Sequence, residues 1–565
     1  MTQSGSLMQV LYIDLHKEKW WTETLQEDVV KRYLGGEALS FYLYKKALDE
    51  KRDDNPIVLC SGYLSATEPF FSDTLTICGK SADTNLIDSA THISKAATNL
   101  TSCNWSAIII SGISRREVVL KIGYKDVQFY YFEALYEATI KETTKILDVK
   151  KESALICIGP AGEKKSPLAT VISDGSPIER KGFGALFGGK NLKALIFEKG
   201  PIHRTPADIE LFVKGVAKLK KSGQKSRYFK RLKVTGGFDF IERANRQGFA
   251  AVENISKRSD PRLFHLTYKE LIRKLGLSYS VKEQSFSELK WNLSREFQII
   301  NSYGLLALGS NLGNYEVEKI IKWWNESINL GLHPVSVGMY IAQMIDSDLP
   351  KSLKQEYNIG FGKIENVERI LKELSSGTIY PFDNNKSTIL NRYIPPIDVR
   401  GCQTEALLVG LLEDFPLVAN LLLPNLKSNN DKKSSEWVVF QENLMALSRS
   451  VGLDVDFIVP LLIEKKSLKL RLFGFRRVSL KEITSLVKAM DNFNLNSYNI
   501  IDVGKRVLKL KRELNKEVSF PLDIPYRFTF DPESNHPKKV VVPYNKMVRR
   551  YRFLRSVDLA KLKEE

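Results

Sequence analysis

The stretch whose residue types and spacing could hold a ligand runs from Cys157-Ile-Gly-Pro-Ala-Gly-Glu163 to Ile178-Glu-Arg-Lys-Gly-Phe-Gly-Ala-Leu-Phe-Gly-Gly-Lys-Asn-Leu-Lys-Ala194. An apolar run, Ala154 to Ile158, opens into a glycine turn, and a second glycine-rich segment leads into another apolar run, Ala194 to Phe197. Without a Cβ in the way, such a backbone can approach a flat or anionic group closely. Glycines between strands also serve simply as tight turns. Thiol chemistry finds less support: Cys60, Cys78, Cys103, Cys157 and Cys402 form no C-x2-C or C-x3-C pair. Scattered singly, they read as small buried residues rather than a disulfide frame or a metal cage.

These residues sit in a chain of 565, too long for one core and expected to divide into about three or four domains. Its 43% hydrophobic and 27% charged content is that of a soluble globular protein. No apolar run approaches the roughly 20 residues of a bilayer span. Met1-Thr-Gln-Ser-Gly-Ser6 has no basic region followed by an apolar core, so a cytoplasmic location is expected. Lys plus Arg at 84 against Asp plus Glu at 66 gives +18, which favours anionic partners. The charge gathers at Lys214 to Lys233, Lys465 to Lys481 and Lys538 to Arg555. No homeodomain, zinc-finger, RNA-recognition or KH pattern accompanies it, so nucleic acid is not the expected partner.

Period-two alternation predicts strands at Val10 to Leu15, Ala107 to Ser111, Val118 to Ile122 and Val127 to Tyr131, with a helix from Leu135 to Leu147. The fold class is α+β, with an N-terminal domain of two sheets over 1–203. Beyond it, apolar residues recur at helical intervals in Ala207 to Leu219, Val317 to Ile328, Val337 to Ile345, Val367 to Leu374, Glu442 to Ser448, Leu480 to Phe493 and Val503 to Leu514. Two mainly helical domains, 204–399 and 400–565, are expected, with a solvated loop at Asn429 to Ser435.

The order of these segments resembles the aldehyde ferredoxin oxidoreductase family, the tungsten or molybdenum bis-pterin enzymes. Tyr33-Leu-Gly-Gly-Glu-Ala-Leu39 is similar to a tyrosine-leucine-glycine-glycine-arginine-glycine segment, and Asn55 to Thr67 to a strand entering a glycine turn. The opening glycine stretch resembles the close of the family's first domain. Arg295-Glu-Phe-Gln298, Leu308-Gly-Ser310, Asp398-Val-Arg400 and Ile524-Pro-Tyr-Arg-Phe528 continue the match in order through the chain. Two loops, Ile328-Asn-Leu-Gly-Leu-His333 and Arg449-Ser-Val-Gly-Leu-Asp454, resemble the family's Asp-x-x-Gly-Leu-Cys/Asp loops.

The resemblance implies a first domain that cradles the bis-pterin on a saddle and oxidation of aldehyde to carboxylate. Its cofactor-binding residues carry over as Arg180, Gly182, Gly184, Ala185, Gly331, Leu332, Gly452, Leu453 and Asp454, and Glu296 and His333 stand as catalytic candidates. This sequence departs from the pattern at the ligands. Glu37 replaces an arginine, and Ile328 and Arg449 replace two aspartates whose carboxylates accept hydrogen bonds from ring amines. Ser89-Ala-Thr-His-Ile-Ser-Lys95 takes the place of a paired-glycine turn, with His92 as a surface group. The C-x2-C-x3-C run ahead of Glu296 is absent, and Asp454 stands at the fourth cluster ligand. A [4Fe–4S] cluster and a metal held by side chains are therefore not expected. A tungsten- or molybdenum-pterin remains as the resemblance implies it, on a weakened site. Three readings follow: a non-catalytic paralogue working with a redox partner, a homologous subunit or a second copy of itself; an active aldehyde oxidoreductase without the usual cluster; and a basic scaffold for an acidic protein or nucleic acid.

Overall fold

The structure is a computed structural model that describes residues 2–4, 8–67, 72–235, 239–275, 301–346, 356–379, 395–401, 403–413, 431–473, 478–530, 541–560 and 562. The N-terminal part has the expected strand periodicity. A short parallel pair joins β1 (Thr2–Ser4) to a late strand, introduced below as β14. One mixed sheet contains β2 (Gln9–Asp14), β3 (Lys19–Thr24), β4 (Ile57–Ser61), β5 (Thr74–Lys80), β6 (Ile87–Ile93) and β7 (Ala107–Ser111), in the order β3-β2-β7-β4-β5-β6. A second contains β8 (Val118–Gly123), β9 (Asp126–Tyr130), β10 (Ala154–Cys157), β11 (Ile172–Ser173), β12 (Ser176–Pro177) and β13 (Leu192–Phe197), in the order β12-β11-β10-β13-β8-β9. The late strand is β14 (His203–Thr205). Only β2 with β7 and β8 with β13 run parallel within the two sheets.

Because successive side chains on a strand point to opposite faces, alternate residues select one face for the core. Leu11 and Ile13, Ile57 and Leu59, and Ile108 and Ile110 from the first sheet join Leu120, Ile122, Ile156 and Leu195 from the second in one buried cluster. The other face of the first sheet is covered by α2 (Gly36–Asp49), which follows α1 (Glu27–Tyr33) and packs on β4 and β5. Next come α3 (Lys95–Ser102), α4 (Ile140–Leu147), α5 (Pro160–Glu163), α6 (Phe183–Gly189) and α7 (Ile209–Lys225).

Two expectations shift here. The helix expected from Leu135 starts at Ile140, because Thr139 and Glu142 close a capping box at its N-terminus. The segment Ser89 to Lys95 is mostly strand rather than turn: β6 pairs antiparallel with β5 along its length, and Ser94 then caps α3.

Beyond β14 helices dominate, over Val317–Asn329, Pro334–Asp346, Val367–Ser376, Lys481–Asp491 and Asp502–Leu514. The solvated loop expected at Asn429 to Ser435 is helical from Asp431, the start of a helix Asp431–Val451. Ser434 and Ser435 are buried there, and Ser435 Oγ satisfies its hydroxyl by donating to Met547 O at 3.0 Å. Contacts group the chain into two compact units, one of residues 1–226, 439–518 and 555–565, the other of 227–438 and 519–554. Among the described residues no helix is long and apolar enough to cross a membrane.

Within the first unit the part of the helix Asp431–Val451 from Val439 on is held by Arg555, whose side chain is fully buried. Its guanidinium donates to Glu442 Oε2 at 2.5 Å, Asn443 Oδ1 at 2.6 Å and Val439 O at 3.1 Å. Arg555→Met removes the buried cation that faces the Glu442 carboxylate, so urea unfolding should show a loss of about 3–5 kcal/mol. A change below about 1 kcal/mol, the worth of an exposed pair, would mean that the clamp does not anchor this helix.

Candidate functional site

The first unit brings together the segments around Gly36, Gly62 and Gly452. The helix Asp431–Val451 ends where Gly452 N and Leu453 N both donate to Ser448 O, at 2.9 Å each. Gly452 takes φ +88°, and a Cβ there would lie 2.7 Å from Gly62 Cα, so backbone meets backbone with no room for a side chain. The loop is sewn to the end of β4 by Tyr63 N donating to Ser450 O at 3.2 Å and Leu64 N donating to Val451 O at 2.9 Å. Ala38 N, in the first turn of α2, donates to Ser450 Oγ at 3.0 Å. Arg204 on β14 reaches in to donate to Tyr63 O and Ser65 O. Asp454 caps the following helix, its Oδ1 accepting from Asp456 N at 3.0 Å, and Leu453 is buried.

A buried polar chain runs through these segments. Arg449 Nη1 lies 3.5 Å from Glu37 Oε1, which also accepts from Ser89 Oγ at 2.7 Å. Ser89 N donates to Asp88 Oδ1 at 2.9 Å, and Asp88 is bracketed by Lys181 and Lys511, each 2.8 Å away. All five charged groups are at most 7% exposed. Burial alone pushes Asp88 toward the neutral acid, but Lys181 and Lys511 outweigh it and hold the carboxyl well below its usual range. Asn515 completes the junction, with Oδ1 accepting from Ile87 N and Nδ2 donating to Ile87 O.

The opening glycine stretch packs mainly against protein. Gly182 has φ +66°, and a Cβ on it would lie 2.7 Å from Asp83 N; one on Gly184 would lie 2.7 Å from Thr170 O. Ala185 and Arg180 are buried. At the other end of the stretch, Lys193 is buried against Glu163 and donates to Ala138 O at 2.9 Å. Burial, together with the Glu163 charge, raises the neighbouring Glu117 carboxyl to about 7.

The second unit carries the other glycine-leucine loop. Gly331, at φ +76°, donates from N to Ile328 O, and Leu332 is fully buried. His333 Nδ1 lies 3.2 Å from Ser336 Oγ and accepts from Ser336 N at 3.3 Å, the geometry of a helix cap ahead of Pro334–Asp346. Arg400 forks onto Asp398 at 2.9 and 2.7 Å and donates to Ile255 O. Glu296 lies outside the described residues.

Residues 10–199 match the family model for the aldehyde ferredoxin oxidoreductase N-terminal domain. A tungsten-containing aldehyde ferredoxin oxidoreductase of Pyrococcus horikoshii is 22% identical over 612 residues, with 97% of this chain and 96% of that protein aligned. The chain thus resembles the aldehyde ferredoxin oxidoreductase family along nearly its whole length, with the family's N-terminal domain in its first third. An aliphatic sulfonate oxidoreductase, WOR-like subunit, of Pyrococcus furiosus is 29% identical over 218 residues, 34% of this chain and 35% of its own length. The fold is also similar to the active site complex BamBC of benzoyl coenzyme A reductase in complex with 1,5-dienoyl-CoA. There the TM-score is 0.70 at 15% identity, covering 98% of this chain and 95% of that one.

The family's cofactors can be tested against these side chains. Cys60, Cys78, Cys103 and Cys157 are buried, and burial raises each of these four thiols, Cys103 and Cys157 to about 12; Cys402 lies outside the described residues. No group of three or more His, Cys, Asp or Glu that could hold a metal occurs among the described residues. This donor set does not fit an iron–sulfur cube. Nor does Arg449 fit a pterin ring amine, because both offer only donors, and Glu37 places an anion where the resemblance calls for an arginine. The network from Arg449 to Lys511 went unnoticed in the sequence. Its one visible signal was the opposed reversal of charge at Glu37 and Arg449.

Two measurements follow from this geometry. Arg449→Glu sets two carboxylates together and should cost about 3 kcal/mol or more, whereas the double reversal Glu37→Arg with Arg449→Glu should recover at least about 1 kcal/mol of that in a denaturation cycle. Simply additive losses would show that the two side chains are not coupled. Glu117, with its folded pKa near 7 and an ordinary value near 4.5 when unfolded, binds its proton more tightly in the native state. Stability from this group is full below the unfolded value and is lost as pH rises through 7. The melting temperature should therefore fall by a few degrees between pH 5 and pH 8, and Glu117→Gln should flatten that slope. An unchanged slope in the variant would assign the dependence to another group.

Proposed function

We propose that this chain is a diverged member of its family that builds neither the [4Fe–4S] cluster nor a full bis-pterin site, and that it works as a non-catalytic or partner-dependent subunit. The observation that carries this reading is the buried line Arg449–Glu37–Ser89–Asp88–Lys181/Lys511, in which the side chains at the expected cradle bind one another. The residues carried over as cofactor contacts, Gly182, Gly184 and Gly452, are supported as turn and packing residues by the backbone that lies against them. Asp454 and His333 are occupied as helix caps, which supports the same reading. Work within an assembly is in keeping with relatives described as a WOR-like subunit and as part of the BamBC complex.

The competing reading keeps the family's tungsten or molybdenum pterin and its oxidation of aldehydes. Elemental analysis of the full chain purified without oxygen separates the two. Tungsten, molybdenum and iron should each fall well below one atom per chain. Stoichiometric tungsten or molybdenum would overturn the non-catalytic reading in favour of a working oxidoreductase.

A further inference from the structure

The end of α1, the outer face of α2 and the helix Asp502–Leu514 pack against one another in the first unit. They leave a surface cavity of about 470 Å³ with Leu562 at its edge, within the size range of small-ligand sites. Tyr33 and Tyr42 line it as a stacked pair, with ring centroids 4.7 Å apart and planes 26° apart. Neither phenol oxygen has a hydrogen-bond partner among the described residues. Leu510 adds a buried apolar wall.

Five basic and three acidic residues line this cavity, but several of the cations are already engaged. Lys45 pairs with Asp49 at 3.4 Å, Lys46 with Glu23 at 3.0 Å and Arg32 with Asp28 at 3.1 Å. Arg506 differs. It donates from Nη1 to Arg32 O at 3.1 Å and has no carboxylate partner among the described residues. A planar guanidinium with open donors, beside a flat aromatic pair with open hydroxyls, matches an anion carried on a ring. Phosphate suits this set better than a single carboxylate, since its three terminal oxygens can take the guanidinium fork and a phenol hydroxyl together.

We infer that this cavity is a binding site for a small phosphorylated aromatic compound of about nucleoside-monophosphate size, with Arg506 on the phosphate and Tyr33 and Tyr42 against the ring. The site is separate in its residues from the Glu37–Arg449 junction and does not depend on whether that junction holds a pterin. Adenosine monophosphate is the probe, titrated calorimetrically into the full chain beside adenosine and inorganic phosphate. Saturable binding of the nucleotide is expected, with each fragment weaker by about tenfold or more. Arg506→Gln, checked for an unchanged melting temperature, should weaken the nucleotide by about tenfold or more. Glu513→Gln, which removes an exposed carboxylate from the rim, should tighten it, and it serves if the arginine variant does not fold. Absence of nucleotide binding at millimolar concentration, phosphate binding as well as the nucleotide, or indifference of the affinity to both substitutions would each overturn the assignment.

Discussion

Asp88 is buried with Lys181 on one side and Lys511 on the other, and the three belong to segments far apart in the chain. A carboxylate taken out of water is costly unless it is paired and its remaining lone pairs are used. Here Lys181 and Lys511 supply the pairing and Ser89 N donates to Asp88 Oδ1, while Asn515 clasps the backbone of the neighbouring Ile87. The edge strand β6, the glycine stretch and the helix Asp502–Leu514 are therefore tied at one point. Since that helix packs on α2, and α2 packs on β4 and β5, the position of Glu37 is tied to the same point.

The reversed charges at Glu37 and Arg449 are consistent with the helices that carry them. Glu37 lies in the first turn of α2, and Arg449 in the last turn of Asp431–Val451. A helix carries partial positive charge at its N-terminus and partial negative charge at its C-terminus, so each side chain is favoured where it stands before the two meet. An arginine at the start of α2 and an aspartate at the end of the other helix, the arrangement implied by the resemblance, would oppose both helix ends. Such a pair is better suited to facing an external ligand. The present pair is suited to facing itself, which supports the proposed reading from energetics as well as geometry.

The fold was legible where pattern and propensity agreed. Ala107 to Ser111 is a strand over its whole expected length, and Val503 to Leu514 lies within a helix one residue longer. The helix start at Thr139 was also written locally, as Thr-x-x-Glu, but the apolar Leu135 drew the boundary outward. Ser89 to Lys95 resisted because a polar sequence can be a strand when its side chains find partners inside, as Thr91 does with Thr76 at 2.8 Å. Asn429 to Ser435 resisted for a related reason: a serine buried through one hydrogen bond looks identical in sequence to a serine in water. The Glu37–Arg449 contact spans more than 400 positions, and no local rule reaches that far.

The opening stretch shows the same limit in a sharper form. Glycine marks a place where something comes within reach of the backbone, but not what that something is. At Gly182 and Gly184 it is other backbone, and at Gly452 it is Gly62. Lys181 and Lys193, the cations that make the stretch look fit for an anion, lie against Asp88 and Glu163. Both lysines are spent on carboxylates of the same chain, so an incoming anion would have to displace buried ion pairs before meeting them. That cost is several kcal/mol for each uncompensated ion, more than a surface phosphate contact returns. A stretch inherited with the shape of a cradle can thus persist as a packing element, because its glycines are still required by the turns after the charges around them have been paired.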